Sequence, residues 1–535
     1  MRVVSSAEMK NIEEIALKEF AFNDSLIIEN VGLQGADFIE SILQQELSKK
    51  AKTFAPNELV FLIGRGNNGA DGLAMARQLA NRGHVVRAFL LFPDEEASTQ
   101  SQIQLKLAQA YGVKISPVKN TENILSYFTQ AQDNYFVVDA IFGTGVRLPI
   151  SNFLFEIITT VNDYSTLVIS IDIASGVSGD NGSSSGTAIL AHYTLAIGTP
   201  KLGHFMGDGA RHTGELVVID GGLPNALLED GEIELLNPEK IAGFSIAKRS
   251  KFGHKNSFGH CLLIGGSQGM TGALIMAGAA CLRSGVGLVS TATWEKNYLE
   301  LASRVPAEIM SGVLPSREKD FDGHIKGLNR YSTIVCGPGL GRSEEARSIV
   351  LGLLQSYSGP LVLDADAINV LNYKKDQELF RDRQAPTILT PHVGEFCRFA
   401  EIESSDLLKR PIDYLKEMVD GLNCTIVLKD ACSYIGLLTG KTLINYFPND
   451  GMAKGGSGDV LAGLIGGLVA QLNRLSKEGL GRNDLLQIGQ AVCLGVHLHS
   501  VAGKHLAQEI GTRPMSAMQL VEFLPNAFFD LENYT

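Results

Sequence analysis

A chain of 535 residues exceeds what one ordinary hydrophobic core supports and implies two domains of about 200–300 residues each. Its 45% hydrophobic and 19% charged residues are globular proportions, and its 57 glycines suit the many tight turns of an α/β protein. A net charge of −12, from 46 Lys and Arg against 58 Asp and Glu, argues against a nucleic-acid-binding face and favours small-molecule ligands.

In chain order, Ser5-Ser6-Ala7-Glu8 has capping-box form, and Met9, Ile12 and Ala16 follow at helical spacing, which predicts a first helix. Apolar runs at Glu58–Ile63, Val85–Leu91, Tyr135–Asp139, Thr166–Asp172 and Leu216–Asp220 read as strands, with helical patterns such as Gly72–Arg82 and Ser101–Tyr111 between them. Alternation at these lengths implies a parallel sheet covered on both faces. A polar stretch, Pro224–Arg249, precedes a second series of strands: Gly259–Ile264, Gly287–Ala292, Thr333–Cys336, Pro360–Leu363, Thr387–Leu389 and Cys424–Lys429. The pattern predicts α/β domains over 1–225 and 246–535, joined by a linker over 226–245.

All seven cysteines lie from Cys261 onward, odd in number and without a Cys-x-x-Cys pair, as expected of free thiols in a reducing compartment. The segment Met1-Arg2-Val3-Val4-Ser5-Ser6-Ala7-Glu8 lacks the apolar stretch of a signal peptide, and Val460–Leu472 is too short to cross a bilayer. A cytoplasmic protein without a membrane segment is expected.

After the strand ending at Ile63 comes Gly64-Arg65-Gly66-Asn67-Asn68-Gly69-Ala70-Asp71-Gly72, then a helical pattern. A glycine turn between strand and helix suits a phosphate or nucleotide at the carboxyl edge of a sheet. Asp139, in Val137-Val138-Asp139-Ala140-Ile141-Phe142-Gly143-Thr144-Gly145, and Asp172 and Ser175, in Ile171-Asp172-Ile173-Ala174-Ser175-Gly176, end strands at the same edge. Asn68, Asp139, Asp172 and Ser175 then present oxygen ligands suited to a hard cation, although each aspartate taken singly also reads as a helix cap.

The most informative stretch is Asn449-Asp450-Gly451-Met452-Ala453-Lys454-Gly455-Gly456-Ser457-Gly458-Asp459, leading into the apolar run Val460–Leu472. Glycines ahead of a buried helix gather backbone N–H groups at its positive dipole end, which suits a phosphate. Asp459 is placed to take a proton from a hydroxyl near that phosphate, where the plainer reading makes it a helix cap. No Gly-Lys-Ser/Thr follows the glycines, which excludes a Walker loop. His392 follows Thr390-Pro391 at one strand end and Lys429 closes another. Asp364 and Asp366 read equally as helix caps or as organisers of a magnesium–phosphate cluster.

Glu29-Asn30-Val31-Gly32, Gly64–Gly72, Asp139–Gly145, Asp172–Gly176 and Pro200-Lys201-Leu202-Gly203 together resemble the YjeF N-terminal domain, the NAD(P)H-hydrate epimerase. The resemblance implies a Rossmann-like three-layer αβα domain. It implies that Asn67, Asn68, Gly69, Ala70 and Asp71, with Gly143, Thr144, Gly145, Val146, Arg147, Leu148 and Pro149, bind the hydrated nicotinamide nucleotide, Asp172 being a further contact. Asn68, Asp139 and Ser175 would hold a potassium ion, and the implied epimerisation would use Asp172 or Asp139 for proton transfer, Asp172 if the cation neutralises Asp139. Ala70 and Ala174 stand where the family usually has Gly and Pro.

The second half, with His254-Lys255, Gly265-Gly266-Ser267, Gly337-Pro338-Gly339 and Gly455–Asp459, resembles the ADP/ATP-dependent NAD(P)H-hydrate dehydratases, which implies a ribokinase-like αβα domain. Ala273, Gly339, His392 and Asp459 would contact the hydrated dinucleotide. Lys429, Asp430, Ala431, Cys432, Ser433 and Gly458 would hold ADP or ATP, with Mg2+ as the accompanying ion. Asn256, Val393 and Asp430 depart from the family's usual Gly, Pro and Gly. The implied activity is bifunctional repair of NADHX and NADPHX with ADP as the favoured donor, in a homo-oligomer that binds neither nucleic acid nor membrane. The competing reading is a small-molecule or vitamin kinase fused to a nucleotide-binding scaffold.

Overall fold

The computed structural model describes residues 1–49, 58–93, 96–130, 136–184, 186–243, 252–314, 327–472 and 482–533. The chain forms two compact units, Met1–Gly231 and Glu232–Thr535. Tyr135 and the segment 244–251, which includes the expected start of the second domain and Lys248-Arg249, lie outside the described residues.

In the first unit the described strands are β1 Leu59–Ile63, β2 Val86–Leu90, β3 Lys114–Pro117, β4 Phe136–Ala140, β5 Leu167–Ile171, β6 Tyr193–Ile197 and β7 Glu215–Ile219. They run parallel in the order β3-β2-β1-β4-β5-β6-β7. β1, β4 and β5 are buried throughout, as a sheet covered on both faces requires. The chain winds outward from β1 to β3 and then returns to place β4 on the other side of β1. That switch opens a crevice at the carboxyl ends of β1 and β4. β3 and β6 escape the sequence reading: β3 is a short edge strand bearing Pro117, and β6 mixes Tyr, Thr and Ala without a clean apolar run.

In the second unit the described strands are β8 Ile233–Leu235, β9 His260–Ile264, β10 Leu288–Thr293, β11 Met310–Val313, β12 Thr333–Cys336, β13 Leu361–Leu363, β14 Thr387–Leu389, β15 Thr425–Leu428, β16 Ser433–Gly436 and β17 Thr442–Asn445. They form one ten-stranded sheet, ordered β11-β10-β9-β12-β13-β14-β15-β16-β17-β8. This sheet is mixed, because β16 runs antiparallel to both β15 and β17. The linker expectation over 226–245 is corrected here. β8 pairs in parallel with β17 through Thr442↔Ile233 and Ile444↔Leu235, so part of that polar stretch is an edge strand. Charged side chains on an edge strand blunt it against further pairing and make it look like a linker in sequence.

The helix Ser457–Ala470 is buried from Val460 to Ala470. Its glycines fit it against the helix Thr271–Arg283. A Cβ at Gly463 would stand 2.0 Å from Ala277 O, and one at Gly467 2.1 Å from Ser284 Oγ. The helix Arg482–Ile510 contains a stretch long and apolar enough by composition to cross a membrane, yet 67% of that window is buried inside the protein, as in a core helix.

Candidate active sites

The first-unit cavity, 780 Å³, lies at the β1/β4 switch. Gly66 caps the helix Asn67–Asn81 without a side-chain bond, which leaves the first-turn amides facing the opening. Asp172 follows β5 with φ +65°, a left-handed conformation that aspartate tolerates better than most residues. Its N–H donates to Leu195 O at 2.7 Å, and its carbonyl meets His204 Nε2 at 2.8 Å. Its Oδ1 lies 2.5 Å from Lys201 Nζ and accepts the Ile197 N–H at 3.4 Å, while Oδ2 accepts the Thr144 N–H at 3.2 Å. Both oxygens are engaged.

Asn67, Asn68, Asp71, Gly143, Thr144, Gly145, Arg147, Pro149 and Asp172 line the cavity, and Gly69, Ala70, Val146 and Leu148 are not among its lining residues. Gly69 has a packing task instead, since a Cβ there would stand 1.9 Å from Gly64 O. The Ala70 methyl clusters with Ile28 and Ala74. Asp139 and Ser175 are fully buried and bond each other: Ser175 Oγ donates to Asp139 Oδ1 at 2.6 Å, and Ser175 N and Ser170 Oγ donate to Oδ2. Ser175 Oγ in turn accepts the Phe142 N–H. Asn68 stands differently, with a buried side-chain amide that lacks a hydrogen-bond partner on either atom. An orphaned buried amide oxygen is chemically suited to a monovalent cation.

In the second unit Gly456 begins the helix Ser457–Ala470 in the left-handed region, φ +99°. The first helical bond runs from Val460 N to Gly456 O, which leaves the Gly458 and Asp459 N–H groups without a helical acceptor. Lys429 faces this end: a Cβ at Gly458 would stand 3.1 Å from its Nζ. Lys429 Nζ also donates to Asp364 Oδ1 at 2.8 Å, and Thr390 Oγ1 donates to the same atom at 2.8 Å. Burial and the neighbouring Asp364 push the Asp459 carboxyl up to about 7 against the opposing pull of Lys429. A carboxylate poised near neutrality suits a general base.

His392 has a structural task. Its Nδ1 accepts the Gly394 N–H at 2.9 Å and caps the helix Val393–Ala400, while the parallel bridge to Lys429 places it beside the lysine backbone. Gly339, at φ +60°, lies against Ala273, where an added Cβ would approach Ala273 Cβ to 3.2 Å. Asp430 and Ala431 are exposed on the β15–β16 turn, and Cys432 is buried behind it. Asp366 accepts from Arg342 and from Gly341 N. With Asp364 and Asp366 both engaged, the described residues contain no group of three or more His, Cys, Asp or Glu suited to a metal.

A family model described as NAD(P)H-hydrate dehydratase matches residues 261–526, and one described as YjeF-related protein N-terminus matches residues 25–203. The bifunctional NAD(P)H-hydrate repair enzyme of Moorella thermoacetica is 32% identical over 99% of this chain and 97% of its own length. The chain belongs to this family. The bifunctional repair enzyme of Synechocystis sp. is 30% identical over 98% of this chain and 94% of its own. The ADP/ATP-dependent NAD(P)H-hydrate dehydratase of Bacillus subtilis, crystallised with ATP and Mg2+, is 28% identical over 56% of this chain and 99% of its own, with a TM-score of 0.46.

In this member of the NAD(P)H-hydrate repair family, the fold brings to the two candidate sites residues to which the sequence reading assigned no role. Lys201 sits in a quoted motif, yet nothing local announces its pairing with Asp172, 29 residues away in the chain. Burial raises the Glu395 carboxyl above its ordinary range, with Lys429 opposing and Asp364 reinforcing the rise. His499 lies under the glycine loop, its Nε2 2.9 Å from Ser457 O, and burial holds its imidazole down at about 4. Glu13 left a sequence signal: a carboxylate between Met9, Ile12 and Ala16 on the buried side of an amphipathic helix.

Proposed function

We propose that the first unit interconverts the R and S epimers of NADHX and NADPHX, and that the second dehydrates the S form with ADP, or alternatively ATP. The observation that carries the reading is Asp459, poised near neutrality beside Lys429 at the open end of a glycine-led helix. Asp459 takes the proton of the ring hydroxyl as its oxygen attacks the terminal phosphoryl group, and the Gly455–Gly458 amides and Lys429 stabilise the charge that develops. Phosphate is a better leaving group than hydroxide. The ring nitrogen lone pair expels it, the adjacent carbon loses a proton, and the reduced nicotinamide is restored.

Ala273, Gly339 and His392 are the proposed contacts of the hydrate, and Lys429–Ser433 with Gly458 those of the nucleotide. Mg2+ then enters on the nucleotide phosphates, an arrangement usual for this ion, and shields their charge there. In the first unit Asn68, Asp139 and Ser175 are the proposed potassium site, where the ion would supply fixed positive charge. Lys10, Arg65 and Arg147 line the same cavity and supply positive charge for a dinucleotide's phosphates. Seven buried free thiols suit a reducing, cytoplasmic setting, and a homo-oligomer remains part of the proposal.

Incubation with mixed R and S hydrates, with ADP and ATP in parallel, tests the reading. Complete recovery of reduced-nicotinamide absorbance with release of inorganic phosphate is expected. Arrest at the S fraction removes the epimerase half, and a stable phosphorylated product without recovery favours the kinase reading.

A further inference from the structure

We propose that Glu13 is the proton-transfer residue of the epimerase unit, its carboxyl moving a proton between the hydrate's hydroxyl and its ring nitrogen. The inference rests on the epimerase reading of the first unit. It concerns a residue outside the stretch 25–203 that the family model matches.

The geometry begins with the N-terminal segment. Val4 pairs with Lys201, its N–H donating to Pro200 O at 3.0 Å and its carbonyl accepting from Leu202 N at 2.9 Å. A complete capping box at Ser5 and Glu8 then starts the helix Ser6–Glu19, and Ser6 N donates to Asp180 Oδ1 at 2.7 Å. These bonds hold the helix across the cavity rim. Met9, Ile12 and Ala16 are buried on its inner side, and Glu13, among them, lines the same cavity as Asn68, Asp71, Asp172 and Lys201.

Four charged groups face Glu13 from other elements: Asp24 at the start of the helix Asp24–Lys49, Asp71 in the helix Asn67–Asn81, Asp172 after β5 and Lys201 after β6. Lys10 and Glu14 flank it on its own helix. Burial pushes its carboxyl up to about 7, with Lys201 opposing and Asp172 and Asp24 reinforcing the rise. Asp172 is the weaker candidate because both its oxygens are engaged by Lys201, Ile197 and Thr144. Burial holds Asp71 well above the usual carboxylate range, which suits a fixed neutral donor.

The hydrated carbon carries both a hydroxyl and the ring nitrogen, so it is a hemiaminal. Protonated Glu13 gives its proton to the ring nitrogen as the carbon–nitrogen bond breaks and its electron pair moves to nitrogen. The hydroxyl O–H pair becomes the carbonyl π bond, and the hydroxyl proton passes to the other Glu13 oxygen. The ring is then open as an aldehyde, and Glu13 is again a carboxylic acid. Rotation presents the opposite carbonyl face, and the reverse transfer closes the other epimer. No proton, electron or external reagent is consumed.

The test uses the full chain with separated R hydrate. Glu13→Gln keeps the shape and loses the exchangeable acid. Its R-to-S rate is expected to fall about 10²–10⁴-fold with KM nearly unchanged, and Glu13→Asp should recover part of the rate. Wild-type epimerisation is expected to decline as pH rises through about 7, a limb absent from Glu13→Gln. Dehydration of pure S hydrate by the same protein controls for expression of the second unit, and hydrogen-exchange protection of the β1 and β4 amides controls for folding of the first. A Glu13→Gln protein with wild-type protection there that epimerises within threefold of wild type overturns the proposal, as does an Asp71→Asn loss with no Glu13→Gln loss. Failure of the wild type to interconvert the epimers defeats the epimerase reading itself.

Discussion

Lys201 Nζ stands 2.5 Å from Asp172 Oδ1 and 2.7 Å from Ile197 O, on a lysine side chain only 1% exposed. An ammonium placed so deep is tolerated because a carboxylate and a carbonyl replace its water. Removing one partner leaves the other charge buried and unpaired. Lys201→Met in the full chain should lower the urea stability of the first unit by about 3–5 kcal/mol, and adding Asp172→Asn should restore most of that loss. Equal destabilisation by the single and the double variant contradicts a charge-pair explanation.

Asp459 must be charged to accept a proton, so dehydration of the S hydrate should rise with pH through about 7. Asp459→Asn should lower kcat about 10²–10⁴-fold and remove that limb from the pH–rate profile. The stability effect has the opposite sense. A carboxyl whose folded pKa is raised contributes stability below its unfolded pKa, and that contribution is lost as pH rises through the folded value. Asp459→Asn should therefore melt higher than wild type above about pH 8 and no higher near pH 3.

Gly458 and Gly456 should separate function from folding. A methyl at Gly458 meets only the Lys429 side chain within 4 Å, which moves aside at the cost of the phosphate pocket. Gly458→Ala should weaken ADP binding by about tenfold, about 1.4 kcal/mol, while the melting temperature changes little. Gly456→Ala instead places a side chain at φ +99° and 2.5 Å from Met276 Sδ, so it should destabilise the unit by about 1–2 kcal/mol or more. Unchanged nucleotide affinity in Gly458→Ala counts against the phosphate-site assignment.

The orphaned Asn68 amide and the Asp139–Ser175 pair should make epimerisation potassium-dependent. Replacing K+ with tetramethylammonium, too large for the pocket, should slow R-to-S conversion by about tenfold or more while leaving dehydration of pure S hydrate unchanged. Asn68→Ala should abolish the dependence on K+. A rate indifferent to the cation argues for a purely structural Asp139–Ser175 pair.

Some of this molecule was decided along the chain itself. The strands β1, β4, β5 and β12 are mostly apolar, Asp139, Ser170 and Thr333 being the exceptions, because both faces of a parallel sheet are covered, so their pattern is local. The glycine loops at Gly64 and Gly455 are equally legible, since turns that admit a phosphate need glycine at particular positions. Tertiary structure alone decided the rest. β8 reads as a polar linker until Thr442–Ile444 supplies its partner. Ala70 stands where the resemblance leads to an expectation of Gly, and only the fold shows Ile28 and Ala74 packing against its methyl. Lys201 looks like a surface charge until the strap at Val4 and the turn at Asp172 enclose it, and the helical spacing around Glu13 shows its side of the helix but not the charges it meets. Proton affinity depends on the dielectric and on charges brought close by folding from distant parts of the chain, and no window of sequence contains those distances.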